Sequence, residues 1–522
     1  MLGGLPVVRN TRSVAAPIRE KPAAPNVPLV AAISACFLHL IGNPQYGFFR
    51  DELYFIICGQ HPQWNYVDQP PIACLLAAAS QMFGPSLFLL RAVPAVFAAG
   101  SVYSTCLLVD ELGGASYAQI ISALVVFFTP VLMDFGMKVS PDMVGLWLWP
   151  LLALYALRLT KGASPRLWLA IGALTGIGLQ SKYSVLFFAV ALVLGLLLTP
   201  HRRTLLSAQF LFGCAIAALI ALPAFLWQAQ YGFPMLELLR NTQHGKNVML
   251  SPLGFLLQQV LITGLLSWVW IIGLVWLLTK PAYRFLGFAF LILIAIMIAL
   301  HGKSYYPANA YPYLIAAGSV AIEQRIGRLR IVRLAVAAAT VVLGMCTAPL
   351  VMPVLPEAQL ARYQDRLFAL LHIPRESIAT EHHAEPELPS DFADMHGWPE
   401  LASTVARVYQ SLPADERSQA VILAQNYGEA AAIEFLAPSS SLPVISGHNQ
   451  YFLWGPRGYS GNVLICVGGN CSSVSREFQT CSLAATFSAP WIQPYERGIP
   501  IMVCHGIVRP LPELWPAAKF YL

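Results

Sequence analysis

Charge is scarce in this chain. Asp, Glu, Lys and Arg make up 11% of its 522 residues, while 57% are hydrophobic. A soluble globular chain usually carries about 25% charged residues, so lipid is expected to be the main solvent. The net charge of +6 is too small to suggest a nucleic-acid partner. There is no CxxC pair, which argues against a thiolate metal site. Most of the ten cysteines stand singly inside apolar runs, as Cys36, Cys106, Cys214 and Cys346 do, and read as small core residues. No small-residue cleavage site follows the first apolar run, so that run reads as a membrane helix and not as a removable signal. No internal repeat is visible.

Long apolar runs are abundant. A membrane helix needs roughly 20 mainly apolar residues. Runs of that kind lie near 28–45, 86–112, 115–133, 143–160, 167–181, 184–200, 205–228, 252–279, 283–300, 307–323 and 331–352, about eleven in all. Several are short, and the pair flanking Lys182 could be half-buried helices. Residues 1–27 carry Arg9, Arg12, Arg19, Lys21 and several prolines and read as a disordered basic cytoplasmic tail. With the N-terminus inside, Lys161, Arg166, Arg202, Arg203, Lys280, Arg284 and the cluster Arg325, Arg328, Arg330 and Arg333 fall on inside loops, as the positive-inside rule requires. An odd number of spans puts the C-terminus outside. From about residue 356 charged residues become frequent and the long apolar runs stop. Residues 356–522 are enough for one soluble domain. Strands are expected at Ala420–Ala424, Leu442–Ser446, Asn462–Val467 and Pro500–Cys504, and helices near 357–371, 399–411, 428–436 and 473–480. The fold class is therefore a polytopic α-helical membrane protein, with a transmembrane domain over 28–355 and a C-terminal soluble α/β domain. Cys471 and Cys481 lie close together in its polar part and are candidates for a disulfide in an oxidising compartment; two free thiols are the alternative.

The notable polar motifs fall on outside loops. The first loop begins Phe48-Phe49-Arg50-Asp51-Glu52-Leu53-Tyr54, two adjacent carboxylates where the first span leaves the bilayer. Ionisable groups at such depth are functional candidates; a helix cap by Asp51 is the structural alternative. Farther on comes Trp64-Asn65-Tyr66-Val67-Asp68-Gln69-Pro70-Pro71, whose aromatics also suit interface anchoring. The second outside loop holds Asp134, Lys138 and Ser140-Pro141-Asp142, in which Asp142 could simply cap the next helix. Lys182 is flanked by apolar segments and needs an anionic partner, either a lipid phosphate or a carboxylate of the protein. The last outside turn reads His301-Gly302-Lys303-Ser304-Tyr305-Tyr306-Pro307, where an ammonium and phenols could donate to a phosphate or anchor the chain at the interface.

The run from Asp51-Glu52-Leu53-Tyr54 through Asp68-Gln69-Pro70-Pro71 to Phe83-Gly84 and Leu90-Arg91 resembles the first loop of bacterial family 39-type glycosyltransferases. These are relatives of the dolichyl-phosphate-mannose protein mannosyltransferases and the aminoarabinose lipid A transferases, in the GT-C superfamily. Ser140-Pro141-Asp142, Gly176–Tyr183 and Gly302–Pro312 are similar to the later motifs in their order. The segment from Asn426-Tyr427-Gly428-Glu429-Ala430 to Gly447-His448-Asn449 is similar to the tail of many members. The resemblance implies a GT-C fold in the bacterial inner membrane and inverting transfer of a sugar from a polyprenyl-phosphate donor to a lipid, glycan or protein acceptor. By motif position it implies that Asp51 is the base that activates the acceptor, that Glu52 tunes it, and that Asp142 is a further acid. Lys303 with Tyr305 or Tyr306 would hold the donor phosphate. The acidic residue and lysine that some relatives carry before the double proline are Asp68-Gln69 here, so Lys182 or Lys303 must supply that charge. His61, Tyr66 and Asp68 remain as acceptor-side candidates on the first loop. A divalent metal held by Asp68 with His61 or His244 is a lesser alternative, because no recognised ligand spacing is present.

Two readings compete. A transporter or lipid flippase would show inverted repeats and helices broken near mid-membrane. A membrane-anchored binding protein would do its work through residues 356–522. The lack of such symmetry and the polar motifs gathered on one face favour the transferase over the transporter, and deletion of residues 356–522 separates it from the binding protein. The charge pattern predicts that an alkaline phosphatase fusion at Pro356 is active on the outside of the cell membrane; activity of a cytoplasmic reporter at that position would reverse the topology.

Overall fold

A computed structural model describes residues 26–245, 248–372, 374, 384–438, 442–469 and 471–522. The expected N-terminal tail lies outside them apart from its last residues. The chain is mainly helical. In order come α1 (Val27–Gly42), α2 (Arg50–Gln60), α3 (Ile72–Ser80), α4 (Leu87–Glu111), α5 (Ser116–Phe128), α6 (Pro130–Met137), α7 (Met143–Thr160), α8 (Leu167–Leu179), α9 (Ser184–Leu197), α10 (Ala208–Gln230), α11 (Pro234–Gly245), α12 (Pro252–Thr263), α13 (Ser267–Thr279), α14 (Arg284–Ala299), α15 (Tyr311–Ile326) and α16 (Arg330–Thr347).

Among the described residues, five segments are long and apolar enough to cross a membrane: Leu87–Glu111, Met143–Thr160, Ala208–Gln230, Pro252–Thr279 and Arg330–Leu350. The number rises to seven if two bent pairs each count as one span. The expected run at 115–133 is one of these pairs. It bends by 67° between α5 and α6, where Pro130 starts α6 and supplies no backbone N–H to continue α5. The runs at 28–45, 167–181, 283–300 and 307–323 fold as the shorter helices α1, α8, α14 and α15. Length and apolarity thus do not confirm a count of eleven.

Small residues let these helices pack closely, as expected where lipid replaces water and burial alone does not drive association. A Cβ on Gly172 of α8 would meet the Gly213 carbonyl of α10 at 2.1 Å, and one on Gly213 would meet the Trp168 carbonyl at 2.3 Å. The centre of the bundle is α15, where Tyr311 and Tyr313 have no exposed surface.

The C-terminal region begins with α17 (Glu357–Leu371) and carries a five-stranded sheet: β1 (Ala420–Ala424), β2 (Val444–Ile445), β3 (Val463–Val467), β4 (Phe478–Phe487) and β5 (Ile499–Ile507), in the order β2-β1-β3-β5-β4. The first three are parallel, while β5 runs antiparallel to both β3 and β4. Alternate residues face opposite sides, as a pleated strand requires. Ile422, Ile465 and Val503 join a core continuous with helices Trp398–Ser411 and Tyr427–Leu436 and with the membrane bundle, while Val421, Leu464 and Cys504 form a separate core with Trp515.

The expected helix near 473–480 is not present as such: a one-turn helix ends at Val474, and β4 starts at Phe478. This strand lies at the edge of the sheet and is exposed along most of its length, so it lacks the alternation that marks a half-buried strand. The suggested Cys471–Cys481 disulfide is also corrected. Cys471 pairs with Cys466 at the end of β3, and Cys481 on β4 pairs with Cys504 directly opposite on β5. Cross-strand register decides the Cys481–Cys504 pair, while Cys466 and Cys471, five residues apart, meet where the chain turns from β3 into a one-turn helix.

One buried ion pair organises the entrance to α2. Glu52 and Arg91 have side chains with no exposure and approach to 3.1 Å. The carboxylate of Glu52 also accepts from the Phe49 amide at 2.9 Å and the Val139 amide at 3.0 Å. Arg91 on α4 donates in addition to the carbonyls of Asn43, Gln45 and Gly47. Removing one partner of a buried pair leaves a desolvated charge, which costs about 3–5 kcal/mol. Glu52→Ala is therefore expected to lower the thermal stability of the solubilised protein and its level in the membrane. Unchanged stability would show that the pair contributes nothing to the fold.

Candidate functional site

Adjacent positions on a helix point about 100° apart, so the Asp51-Glu52 pair divides. Glu52 faces inward to Arg91. Asp51 lies in the first turn of α2, and its side chain keeps 31% of its exposure. It does not cap the helix; Phe49 occupies the cap position, and the reciprocal bond to its amide comes from Glu52. Asp51 Oδ1 instead accepts from the Tyr427 hydroxyl at 2.8 Å and from Arg50 Nε at 3.4 Å.

Asp68 sits beside Asp51. Its Oδ1 accepts from the Tyr54 hydroxyl at 3.0 Å and its Oδ2 from Asn449 Nδ2 at 3.4 Å. Burial pushes Asp68 up to about 7; the Tyr54 hydrogen bond opposes the rise, and the nearby charge of Asp51 adds to it. Tyr54 and Tyr427 stack at a tilt, with ring centres 4.5 Å apart. Two neighbouring phenols thus hold two carboxylates.

A second cluster forms where three loops meet. Lys182 bonds Asp142 Oδ2 at 2.5 Å and lies over the rings of Tyr305 and Tyr306 at 4.9 and 4.6 Å. The anion that Lys182 needs is a carboxylate of the chain itself. Asp142 occupies the position before α7 but makes no capping bond. Lys303 is close enough to add repulsion at Lys182, whose pKa burial already lowers. Asn309 donates to the Asp142 carbonyl at 3.1 Å. Ser140 Oγ, Asp142 Oδ1 and Asn309 Oδ1 are buried acceptors with no hydrogen-bond partner among the described residues.

The two clusters share one end of the bundle. Val139 bonds Glu52, Ser181 bonds the Pro141 carbonyl at 2.8 Å, Tyr183 accepts from Asn65 at 2.6 Å, and Ile72 bonds the Gln180 carbonyl at 3.0 Å. Lys138 joins Asp134 to Asp391 of the C-terminal region.

Other sequence candidates serve the loop itself. Tyr66 is completely buried and donates to the Cys58 carbonyl at 2.7 Å. His61 lies against Trp454, ring centres 5.0 Å apart. The side chain of His244 lies outside the described residues. No group of three or more His, Cys, Asp or Glu that could hold a metal occurs among the described residues, and the side chains bonded to Asp68 are the Tyr54 hydroxyl and the Asn449 amide. Tyr54, Tyr427, Asn449 and Arg91 were not singled out as site residues from the sequence, although all lie within motifs that carry the family resemblance.

A carboxyl raised to about 7 keeps its proton in the folded protein but loses it near pH 4 in the unfolded chain. Between those values folding retains a proton, so stability falls as pH rises and levels off above about 7. Melting temperature measured from pH 4.5 to 7.5 should fall less steeply in Asp68→Asn than in the parent. Equal slopes would remove Asp68 from this linkage and leave it to other buried carboxyls such as Glu429 and Glu496, which burial also raises.

A family model described as dolichyl-phosphate-mannose-protein mannosyltransferase matches residues 68–227. No curated protein matches the sequence. Among solved structures, ArnT from Cupriavidus metallidurans bound to undecaprenyl phosphate is similar, with a TM-score of 0.58 at 13% identity over 92% of this chain and 98% of that one. ArnT from the same organism in the apo state gives a TM-score of 0.59 at 13% identity over 91% and 97%. The fold is thus similar to that of ArnT over nearly all of this chain, and together with the mannosyltransferase family match over residues 68–227 it makes this multi-pass membrane chain a glycosyltransferase.

Proposed function

We propose that the chain transfers a sugar from a polyprenyl-phosphate donor to a lipid, glycan or protein acceptor on the outer face of a bacterial inner membrane, with the C-terminal region on that face. The observation that carries this reading is a partly exposed carboxylate, Asp51, at the same end of the bundle as a lysine–tyrosine cluster. The fold is similar to that of a protein bound to undecaprenyl phosphate, the kind of lipid phosphate that leaves in such a transfer and whose charge would suit that cluster.

In the proposed step an acceptor hydroxyl or amine attacks the anomeric carbon of the donor. The bond from that carbon to the phosphate oxygen breaks, polyprenyl phosphate leaves, and the acceptor proton passes to Asp51. Attack opposite the leaving group inverts the anomeric centre. Lys303, Tyr305 and Tyr306 would stabilise the charge growing on the phosphate. The unpartnered acceptors Ser140 Oγ, Asp142 Oδ1 and Asn309 Oδ1 suit sugar hydroxyls, since buried acceptors are normally bonded. Lys182, already held by Asp142, would position that carboxylate.

Asp51→Asn separates a base from a merely polar side chain. Transfer should fall by at least about a hundredfold, the scale of general-base loss, with normal membrane levels; near-normal transfer would exclude Asp51 as the base and turn attention to Asp142. Lys303→Ala should weaken apparent donor affinity roughly ten- to hundredfold, as loss of a charge-assisted bond implies. Unchanged affinity would move the phosphate contact to Lys182. Mass spectrometry of lipids and glycans from a deletion strain, compared with its parent, would identify the acceptor.

A further inference from the structure

The C-terminal region does more than cover the membrane bundle: one of its side chains reaches the carboxylate assigned the proton. Tyr427 stands 376 residues from Asp51 in sequence, and its hydroxyl lies 2.8 Å from Asp51 Oδ1. We propose that Tyr427 is a positioning residue that fixes the carboxylate of Asp51 for proton transfer, so that the transfer site is complete only with the C-terminal region docked. The inference rests on the role of Asp51 proposed above.

The local fold holds Tyr427 firmly. It is the first residue of helix Tyr427–Leu436, whose N-cap Asn426 accepts from the Glu429 amide at 2.9 Å. Glu429 in turn accepts from the Gln425 amide at 2.8 Å, so the start of the helix is fixed from both sides. Gly428 permits the approach of Arg50, because a Cβ there would meet Arg50 Cγ at 2.4 Å. The Tyr427 ring is packed against Tyr54, lies 4.7 Å from the His448 ring, and has the Arg50 guanidinium 5.6 Å from its centre. Arg50 is itself tied to the C-terminal region through Tyr495 at 2.6 Å and Asp394 at 3.7 Å. The phenol stays a neutral donor: burial holds its pKa well above the usual tyrosine range, Arg50 opposes this, and Asp51 reinforces it.

The geometry has a chemical consequence. A carboxylate in the first turn of a helix is otherwise free to rotate, yet a base must lie within hydrogen-bond reach of the proton it takes. Both bonds to Asp51 fall on Oδ1, which leaves Oδ2 to face the acceptor. Tyr54 stands between the two carboxylates and binds Asp68, while Asn449 binds Asp68 from the C-terminal region. Asn449 adopts φ +46°, a backbone conformation that side-chain-bearing residues seldom take and that persists where the surroundings enforce it.

Tyr427→Phe keeps the ring and removes the hydroxyl. In the full-length enzyme kcat should fall about tenfold, the scale of one hydrogen bond, with donor KM and melting temperature unchanged. The decisive measurement is a double-mutant cycle read by single-turnover transfer from a radiolabelled polyprenyl-phosphate sugar. If Tyr427 acts through Asp51, adding Tyr427→Phe to Asp51→Asn should change the residual rate less than about twofold, because interacting residues are non-additive. A wild-type kcat in Tyr427→Phe, or the same tenfold loss in both backgrounds, overturns the proposal. Near-normal transfer by Asp51→Asn alone would be a failure of the proposed base and is seen before Tyr427 is altered.

Discussion

The pairing of Glu52 with Arg91 is the constraint on which the end of the bundle around Asp51 depends. Neither side chain touches solvent, so each charge must find all its partners within the chain. The guanidinium gathers the carbonyls of Asn43, Gln45 and Gly47 around it, which wraps the end of the first loop about a residue of α4. The carboxylate closes the start of α2 and receives the Val139 amide from the next loop. A buried ion pair is weak evidence for net stability, because desolvation offsets much of the attraction. Its value here is specificity: few arrangements satisfy so many donors and acceptors at once, and the one that does so turns Asp51 outward.

Two carboxylates adjacent in sequence therefore do different work. Glu52 is consumed by the fold. Asp51 keeps exposure and receives its bonds from Arg50 and Tyr427. Asp68, farther along the same loop, is brought beside Asp51 by the turn of the loop and by Tyr54. Around them the C-terminal region is attached by polar contacts at Arg50, Val67, Asp68 and Lys138. Apolar packing of Phe49 and Met137 against Leu360, Phe392 and Met395 joins the two parts as well, while the polar contacts orient the groups around Asp51.

The second cluster shows the same economy with opposite charge. Lys182 interrupts two apolar helices, and its ammonium rests on Asp142 and two tyrosine rings. The aromatic faces and the carboxylate together offset the desolvation of the cation. Ser140 Oγ, Asp142 Oδ1 and Asn309 Oδ1 are left with no hydrogen-bond partner among the described residues, which is the chemistry that the polyhydroxylated substrate proposed above would complete.

The sequence by itself determined the solvent of the protein, because apolar runs longer than a soluble core needs have no other reason to exist. It also determined most of the C-terminal strands and helices, whose apolar periodicity follows from the face each one buries. It pointed to the polar motifs at Asp51, Asp68, Asp142, Lys182 and Lys303, since ionisable groups beside lipid are costly. Edge strand β4 was hidden, because a largely exposed strand needs no apolar alternation. The disulfide partner of Cys481 was hidden too, because strand register and not spacing sets it opposite Cys504. Only the tertiary structure decided which of two neighbouring carboxylates would be buried, and that Lys182 would rest on Asp142. It alone brought Tyr427 and Asn449 to Asp51 and Asp68: hydrogen bonds act over about 3 Å, and no local pattern records a contact between residues 376 positions apart.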